Sequence, residues 1–295
     1  MTITTTKIKG IKIRYQELGN KDKETLVLLH YGGASLGVWN GIIQFFEKEF
    51  HLVAPDLRCH GFSEMNVNDC HIDNMAEDIV GLMEKLGIEK AKIIGSSLGA
   101  DVAISIAANF PKKVVCLVLD GGLYDIDGPD SKDQLIEKEE IEQAKNKLKE
   151  QILSRETNVY DSKEAFIESY KPRWEKYYPW TEIIEKAELD NLKETDEGKF
   201  TSTQTPDIIW KYIDPLYGLR FSDYFKRIHC PILWLPDEKE CDNEVVKRNL
   251  QNYATNLKYH KIVTIEGSEH AYTCLIRPKE FSKEILAFFD EIKGL

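Results

Sequence analysis

Apolar and polar positions along the chain fall into two rhythms. Thr2–Ile8 and Ile11–Leu18 alternate residue by residue on either side of Gly10, and predict a β-hairpin with one covered face. The next apolar run, Leu26-Val27-Leu28-Leu29, has no polar face and ends at His30. Such a run suits a strand of a parallel sheet covered on both sides. After a Gly32-Gly33 loop, Val38–Phe46 takes up the spacing of an amphipathic helix. The pairing then repeats, with strands at His51–Pro55, Ala91–Ile94 and Val114–Leu119. Helices are expected at Ile72–Leu86 and at Leu98–Asn109, the second stopped by Pro111.

After Asp120 the rhythm breaks. From Gly122 to Arg227 there is no apolar strand pattern. Helical patterns occupy Asp133–Ser154, Ser162–Lys176, Thr181–Lys193 and Thr205–Tyr217, and carry Trp174, Trp180 and Trp210. Strands resume at Pro231–Leu235 and His260–Ile265, with helices at Asn243–Tyr253 and Pro278–Ile292. Strands alternating with helices define an α/β fold with right-handed crossovers. The expectation is a mostly parallel, doubly wound sheet of about eight strands. Residues 1–121 and 228–295 form its core, and residues 122–227 form a helical cap or lid inserted after the sixth strand.

Composition narrows the partners. With 39 basic against 50 acidic residues the net charge is −11, which repels phosphate backbones and anionic membrane surfaces, so neither nucleic acid nor membrane is expected as a partner. No apolar run reaches the ~18 residues of a membrane span. The N-terminal residues lack the charged, apolar and small-residue order of a signal peptide. Cys59, Cys70, Cys116, Cys230, Cys241 and Cys274 include no C-x-x-C pair and none at zinc-finger spacing from histidine. No metal and no cofactor are expected, free thiols are the default, and a reducing cytoplasm follows.

The chemistry concentrates at Gly95-Ser96-Ser97-Leu98-Gly99, between a strand and a helix. A sharp strand-to-helix turn strains its central residue and leaves no room for side chains two positions away on either side. A serine there stands exposed as a nucleophile, and the backbone N–H of Leu98 can meet developing negative charge. A serine hydroxyl needs a base. His270, on the loop after the last strand, fits the chain order nucleophile, acid, histidine. His51, His71, His229 and His260 sit at element edges, and His60 reads as holding its own loop by hydrogen bonds. The carboxylate that would orient the base lies among Asp237, Glu238, Glu240 and Asp242, or is Asp120. Residue type alone leaves that choice open.

Four ordered motifs together resemble the α/β-hydrolase superfamily, in its branch of capped serine esterases. They are His30-Tyr31-Gly32-Gly33, similar to an oxyanion loop; Asp56 to Ser63, similar to D-x-R-G-H-G-x-S; the elbow Gly95 to Gly99; and the histidine loop Gly267 to His270. Tyr31, Cys59 and Asp237 each stand where that pattern has glycine. The resemblance implies an oxyanion hole from the N–H groups of Gly32 and Leu98. Laid on Pro231, the pattern P-x-L-x-L-x-G-x-x-D ends at Glu240, which implies Glu240 as the acid, ahead of Asp242 and Asp120. The expected activity is hydrolysis of small carboxylic esters or related acyl compounds through an acyl-enzyme. C–C bond hydrolase, lactonase, thioesterase and perhydrolase chemistry share the same triad. A serine at the elbow argues against dehalogenases and epoxide hydrolases of this fold, which use aspartate. The rival from another class is a small-ligand receptor that keeps the triad in a closed pocket. Neither the natural substrate nor the oligomeric state is legible.

Overall fold

The computed structural model describes residues 2–132 and 136–294. In chain order the strands of the large sheet are β1 (Thr2–Ile8), β2 (Ile11–Leu18), β3 (Thr25–Leu29), β4 (His51–Pro55), β5 (Ala91–Ser96) and β6 (Val114–Asp120). Helices α1 (Ile43–Phe46), α2 (Ile72–Lys85) and α3 (Leu98–Asn109) lie between them. Residues expected as one helix at Val38–Phe46 divide into a 3-10 turn, Leu36–Gly41, and α1.

From β6 the chain runs through α4 (Lys138–Leu153), β7 (Val159–Tyr160), α5 (Lys163–Glu175), α6 (Glu182–Leu189), β8 (Leu192–Glu194), β9 (Phe200–Ser202), α7 (Pro206–Ile213) and α8 (Phe221–Phe225). It returns through β10 (Ile232–Trp234), α9 (Glu238–Asp242), α10 (Glu244–Ala254), β11 (His260–Ile262), α11 (Thr273–Ile276) and α12 (Pro278–Glu291). The helix expected from Asp133 begins at Lys138, and residues 133–135 lie outside the described residues.

The large sheet has eight strands in the order β1-β2-β4-β3-β5-β6-β10-β11. The β1–β2 and β2–β4 pairs are antiparallel, and the remaining pairs are parallel. Its centre shows why β3 carries no polar face. Val27 and Leu29 point into one half of the core, among Met75 and Ile79 of α2 and Val102 and Ile106 of α3. Leu26 and Leu28 point into the other, among Phe46, Phe281 and Phe288. Successive strand residues face opposite sides, so a strand between two helical layers must be apolar at every position.

The segment between β6 and β10 departs from the expected all-helical insertion, because β7, β9 and β8 form a second, antiparallel three-stranded sheet. These strands are two or three residues long, too short to show alternation in sequence. Arg14 of β2 ties this segment to the large sheet. Its buried guanidinium lies 3.2 Å from Asp56 and 2.5 Å from Asp190, which follows α6. Asp56 also accepts the N–H groups of Leu36 and Phe62 at 2.7 and 2.8 Å, so it fastens the loops after β3 and β4 to β2.

A correction concerns the cysteines. Cys59 and Cys70 are paired, because the loop after β4 folds back and brings their Cα atoms to 7.0 Å. Cys116, Cys230, Cys241 and Cys274 are free. The expectation of six free thiols therefore fails, and with it the cysteine argument for a reducing compartment.

Candidate active site

Ser97 sits at the turn from β5 into α3 with φ +47° and ψ −117°, a conformation rarely adopted by residues with side chains. The surrounding hydrogen bonds impose it. The Ser97 N–H donates to the carbonyl of Asp120 at 2.6 Å, and its own carbonyl accepts from Ala100 and Asp101. The glycines of the elbow are sterically required. A Cβ on Gly95 would lie 2.3 Å from the carbonyl oxygen of Gly99, and one on Gly99 would lie 2.0 Å from that of Leu29. A third glycine, invisible as part of the pattern, backs the turn: a Cβ on Gly121 would meet the Cα of Ser97 at 2.8 Å.

A prediction follows for the elbow. In Gly99→Ala the new methyl collides with β3 backbone, which has no room to move in a close-packed sheet. The cost expected is about 3 kcal/mol, the upper part of the overpacking range. Urea unfolding of the variant against the parent chain measures it, and an unchanged midpoint would contradict the steric account.

His270 approaches from the loop between β11 and α11. Its Nε2 lies 3.0 Å from Ser97 Oγ, and its Nδ1 lies 2.8 Å from Glu240 Oε1. Glu240 owes its position to α9. Asp237 caps that helix by accepting the Glu240 N–H at 2.7 Å, while Glu240 Oε2 accepts the Asp237 N–H at 3.1 Å. This reciprocal pair is a capping box. The second oxygen of Asp237 accepts the backbone N–H of His270 at 3.0 Å, so one aspartate positions both Glu240 and the backbone of His270. Asp237, which stands where the family pattern has glycine, was weighed in the sequence only as a candidate acid, and its hold on Glu240 and His270 was missed. Its signal was present as the spacing Asp237-x-x-Glu240.

Of the three candidate acids the structure brings Glu240 to His270. Asp242 is exposed near the end of α9. Asp120 is buried and accepts from Ser96 Oγ at 3.0 Å, and burial pushes its carboxyl up to about 7. His270 is shifted up to about 9. Burial opposes the charged form, but the hydrogen bond and charge of Glu240, then the charges of Asp120 and Asp237, outweigh it. Burial likewise works to raise the Glu240 carboxyl, yet it lies below its ordinary value because His270 donates to it.

Gly32 lies against the start of α3, where a Cβ on it would approach Leu98 Cβ at 3.7 Å. Among the described residues the N–H groups of Gly32 and Leu98 have no acceptor in the protein. His30 and His60 stay outside this constellation. His30 donates through Nδ1 to the Tyr31 carbonyl and accepts the Leu57 N–H on Nε2, which fixes a neutral ring. His60 donates through Nδ1 to the Arg58 carbonyl. Burial drives both rings well below their ordinary value, so both are neutral props of their loops.

One cavity borders Ser97 and a second borders Gly32. A small one of about 180 Å³ is lined by Ser97, His270, Asp101 and apolar side chains including Leu216 and Phe221. A larger one, about 530 Å³, lies between Gly32, Tyr31, Tyr272 and the segment bearing α5 to α7. Tyr212 of α7 stands over the loop, its hydroxyl 3.3 Å from where a Gly33 Cβ would lie.

Comparison with known proteins identifies the family. The family model described as alpha/beta hydrolase fold matches residues 24–179, and the chain belongs to that family. It is 32% identical over 114 residues to an uncharacterized hydrolase of Saccharomyces cerevisiae, covering 38% of this chain and 39% of that protein. It is 27% identical over 109 residues to 3-oxoadipate enol-lactonase 2 of Acinetobacter baylyi, covering 37% and 41%. The matches thus span about two fifths of these relatives. Among solved structures, E-2-(acetamidomethylene)succinate hydrolase superposes with a TM-score of 0.80 over 98% of this chain and 99% of that one, at 18% identity, which speaks to the fold alone. No helix among the described residues is long and apolar enough to cross a membrane, and no group of three or more His, Cys, Asp or Glu among them could hold a metal ion.

Proposed function

We propose that the protein is a serine hydrolase of small carboxylic esters or related acyl compounds, working through an acyl-enzyme. The observation that carries this reading is the unbroken chain Ser97 Oγ, His270 Nε2, His270 Nδ1, Glu240 Oε1, with links of 3.0 and 2.8 Å. Both links lie in hydrogen-bond range.

In this mechanism Ser97 Oγ attacks the substrate carbonyl as its proton passes to His270 Nε2. Glu240 holds Nδ1–H, so Nε2 presents a lone pair to the serine, and it stabilises the imidazolium that forms. The N–H groups of Gly32 and Leu98 receive the oxyanion. The carbonyl–leaving group bond then breaks, and His270 gives the proton to the leaving atom. Water, deprotonated by His270, attacks the acyl-enzyme, and Ser97 is regenerated with release of the acid. Residues 122–227 act as the cap. Tyr212 over the oxyanion loop and the segment's share of the larger cavity support that role.

A fluorophosphonate probe should label the protein stoichiometrically, with the modified peptide containing Ser97, and p-nitrophenyl acetate should be turned over. A folded protein that neither labels nor turns over the ester would favour the receptor reading.

A further inference from the structure

Asp101 is a carboxylate that the proposed reaction leaves without a task. It lies one helical turn after Ser97 in α3, its N–H donating to the Ser97 carbonyl at 3.1 Å. Residues four apart on a helix share a face, with Cβ atoms about 6 Å apart. Its side chain therefore lines the small cavity with Ser97 and His270. The rest of that wall is mainly apolar: Leu123, Ile126, Leu216, Leu219 and Phe221. Among the described residues nothing hydrogen-bonds the Asp101 carboxylate, and burial pushes it up to about 7, against the charge of His270, which lowers it. A carboxylate in such surroundings is costly unless a donor reaches it. It does not serve the helix as a cap, since α3 starts at Leu98 and Asp101 lies beyond the third helical position.

The cavity also has a definite place in the reaction. The leaving atom must come within reach of His270 Nε2 to be protonated. His270 borders the small cavity and not the larger one. Of the two, only the small cavity is lined by both Ser97 and His270, so the leaving group extends into it. A volume of about 180 Å³ is the space of about six waters at ~30 Å³ each, enough for a short chain.

We infer that Asp101 is a specificity-determining residue, accepting a hydrogen bond from a donor, such as a hydroxyl, on a short leaving alcohol of the substrate. This rests on the hydrolase reading above and names the class of ester it acts on.

The test is a pair of isosteric esters, 2-hydroxyethyl butyrate and propyl butyrate, with butyrate release followed by pH-stat titration. The parent enzyme should favour the hydroxyethyl ester by about tenfold or more in kcat/KM, the scale of a hydrogen bond to a charged group. Asp101→Leu should abolish the preference, and Asp101→Asn, which keeps an acceptor oxygen, should retain part of it. The preference of the parent enzyme needs no variant, so a misfolded variant cannot hide the result. Asp101 faces His270, Asp125, Tyr124 and Tyr253 electrostatically. A variant that shifts only the pH profile, leaving the ester ratio intact, marks it as a helper of His270 and overturns the inference. Equal rates on the two esters, or a preference that appears only for a hydroxyl on the acyl chain, also overturn it. Turnover near the parent rate in Ser97→Ala overturns the acyl-enzyme reading instead, so the two failures are distinguishable.

Discussion

Replacing Ser97 by alanine is expected to lower kcat for p-nitrophenyl ester hydrolysis by about six orders of magnitude, with little change in stability. Members of a triad act as a unit, so loss of the nucleophile alone costs nearly as much as loss of the whole set. The oxyanion N–H groups and the cavities remain, so a residual rate above that of water should persist. The hydroxyl makes its hydrogen bond to His270, on the cavity wall, and holds no part of the core. The alanine also has to adopt φ +47°, as serine does, so the strain of the turn is common to both. Single-turnover kinetics with burst detection measures the loss. A variant that keeps a rapid burst would remove Ser97 from the reaction.

The second large effect is expected from Glu240→Gln, at about four orders of magnitude in kcat. An amide in place of the carboxylate no longer fixes the tautomer with Nδ1–H and cannot balance the imidazolium. Asp242→Asn should stay close to the parent enzyme. The pH dependence carries a second signature. His270 must be neutral to accept the serine proton, and its titration is shifted up to about 9. Hence kcat/KM should rise with pH toward that value. In the glutamine variant the residual activity should reach its plateau at lower pH, because the group that favoured the charged ring is gone. The same shift bears on folding. A raised value in the folded state adds stability that is full below the unfolded value of about 6.5 and is lost as pH climbs through about 9. Rate profiles and urea titrations at stepped pH test both consequences.

Much of this site is legible in the chain because its chemistry is tied to local geometry. The strand-turn-helix context of Gly95 to Gly99 is written in consecutive residues, and so is the wholly apolar β3. The order of the loops then carries His270. What stayed hidden has three physical causes. Strands β7, β8 and β9 contain Lys193, Glu194, Thr201 and Ser202 and are too short for a hydrophobic period, so their pairing is decided by tertiary contacts. Gly121 matters through its approach to Ser97 across 24 positions of sequence, and no local pattern marks such a contact. The pairing of Cys59 with Cys70 depends on the path of the loop between them, which cysteine spacing does not fix. The resemblance chose Glu240 by counting positions, whereas the physical reason for it is the short helix α9. That helix was itself unread, although Asp237 and Glu240 stood at the spacing of a helix start.

The double duty of the Glu240 carboxylate restricts how this chain can vary. One oxygen closes the helix cap with Asp237, and the other holds His270. Aspartate, the commoner acid in this role across the superfamily, is one methylene shorter and cannot span both from the third position of α9. A change from glutamate to aspartate here would sever the histidine link or open the helix start. The two acids therefore call for different local structure at residues 237–242, and an aspartate at position 240 requires that segment to refold.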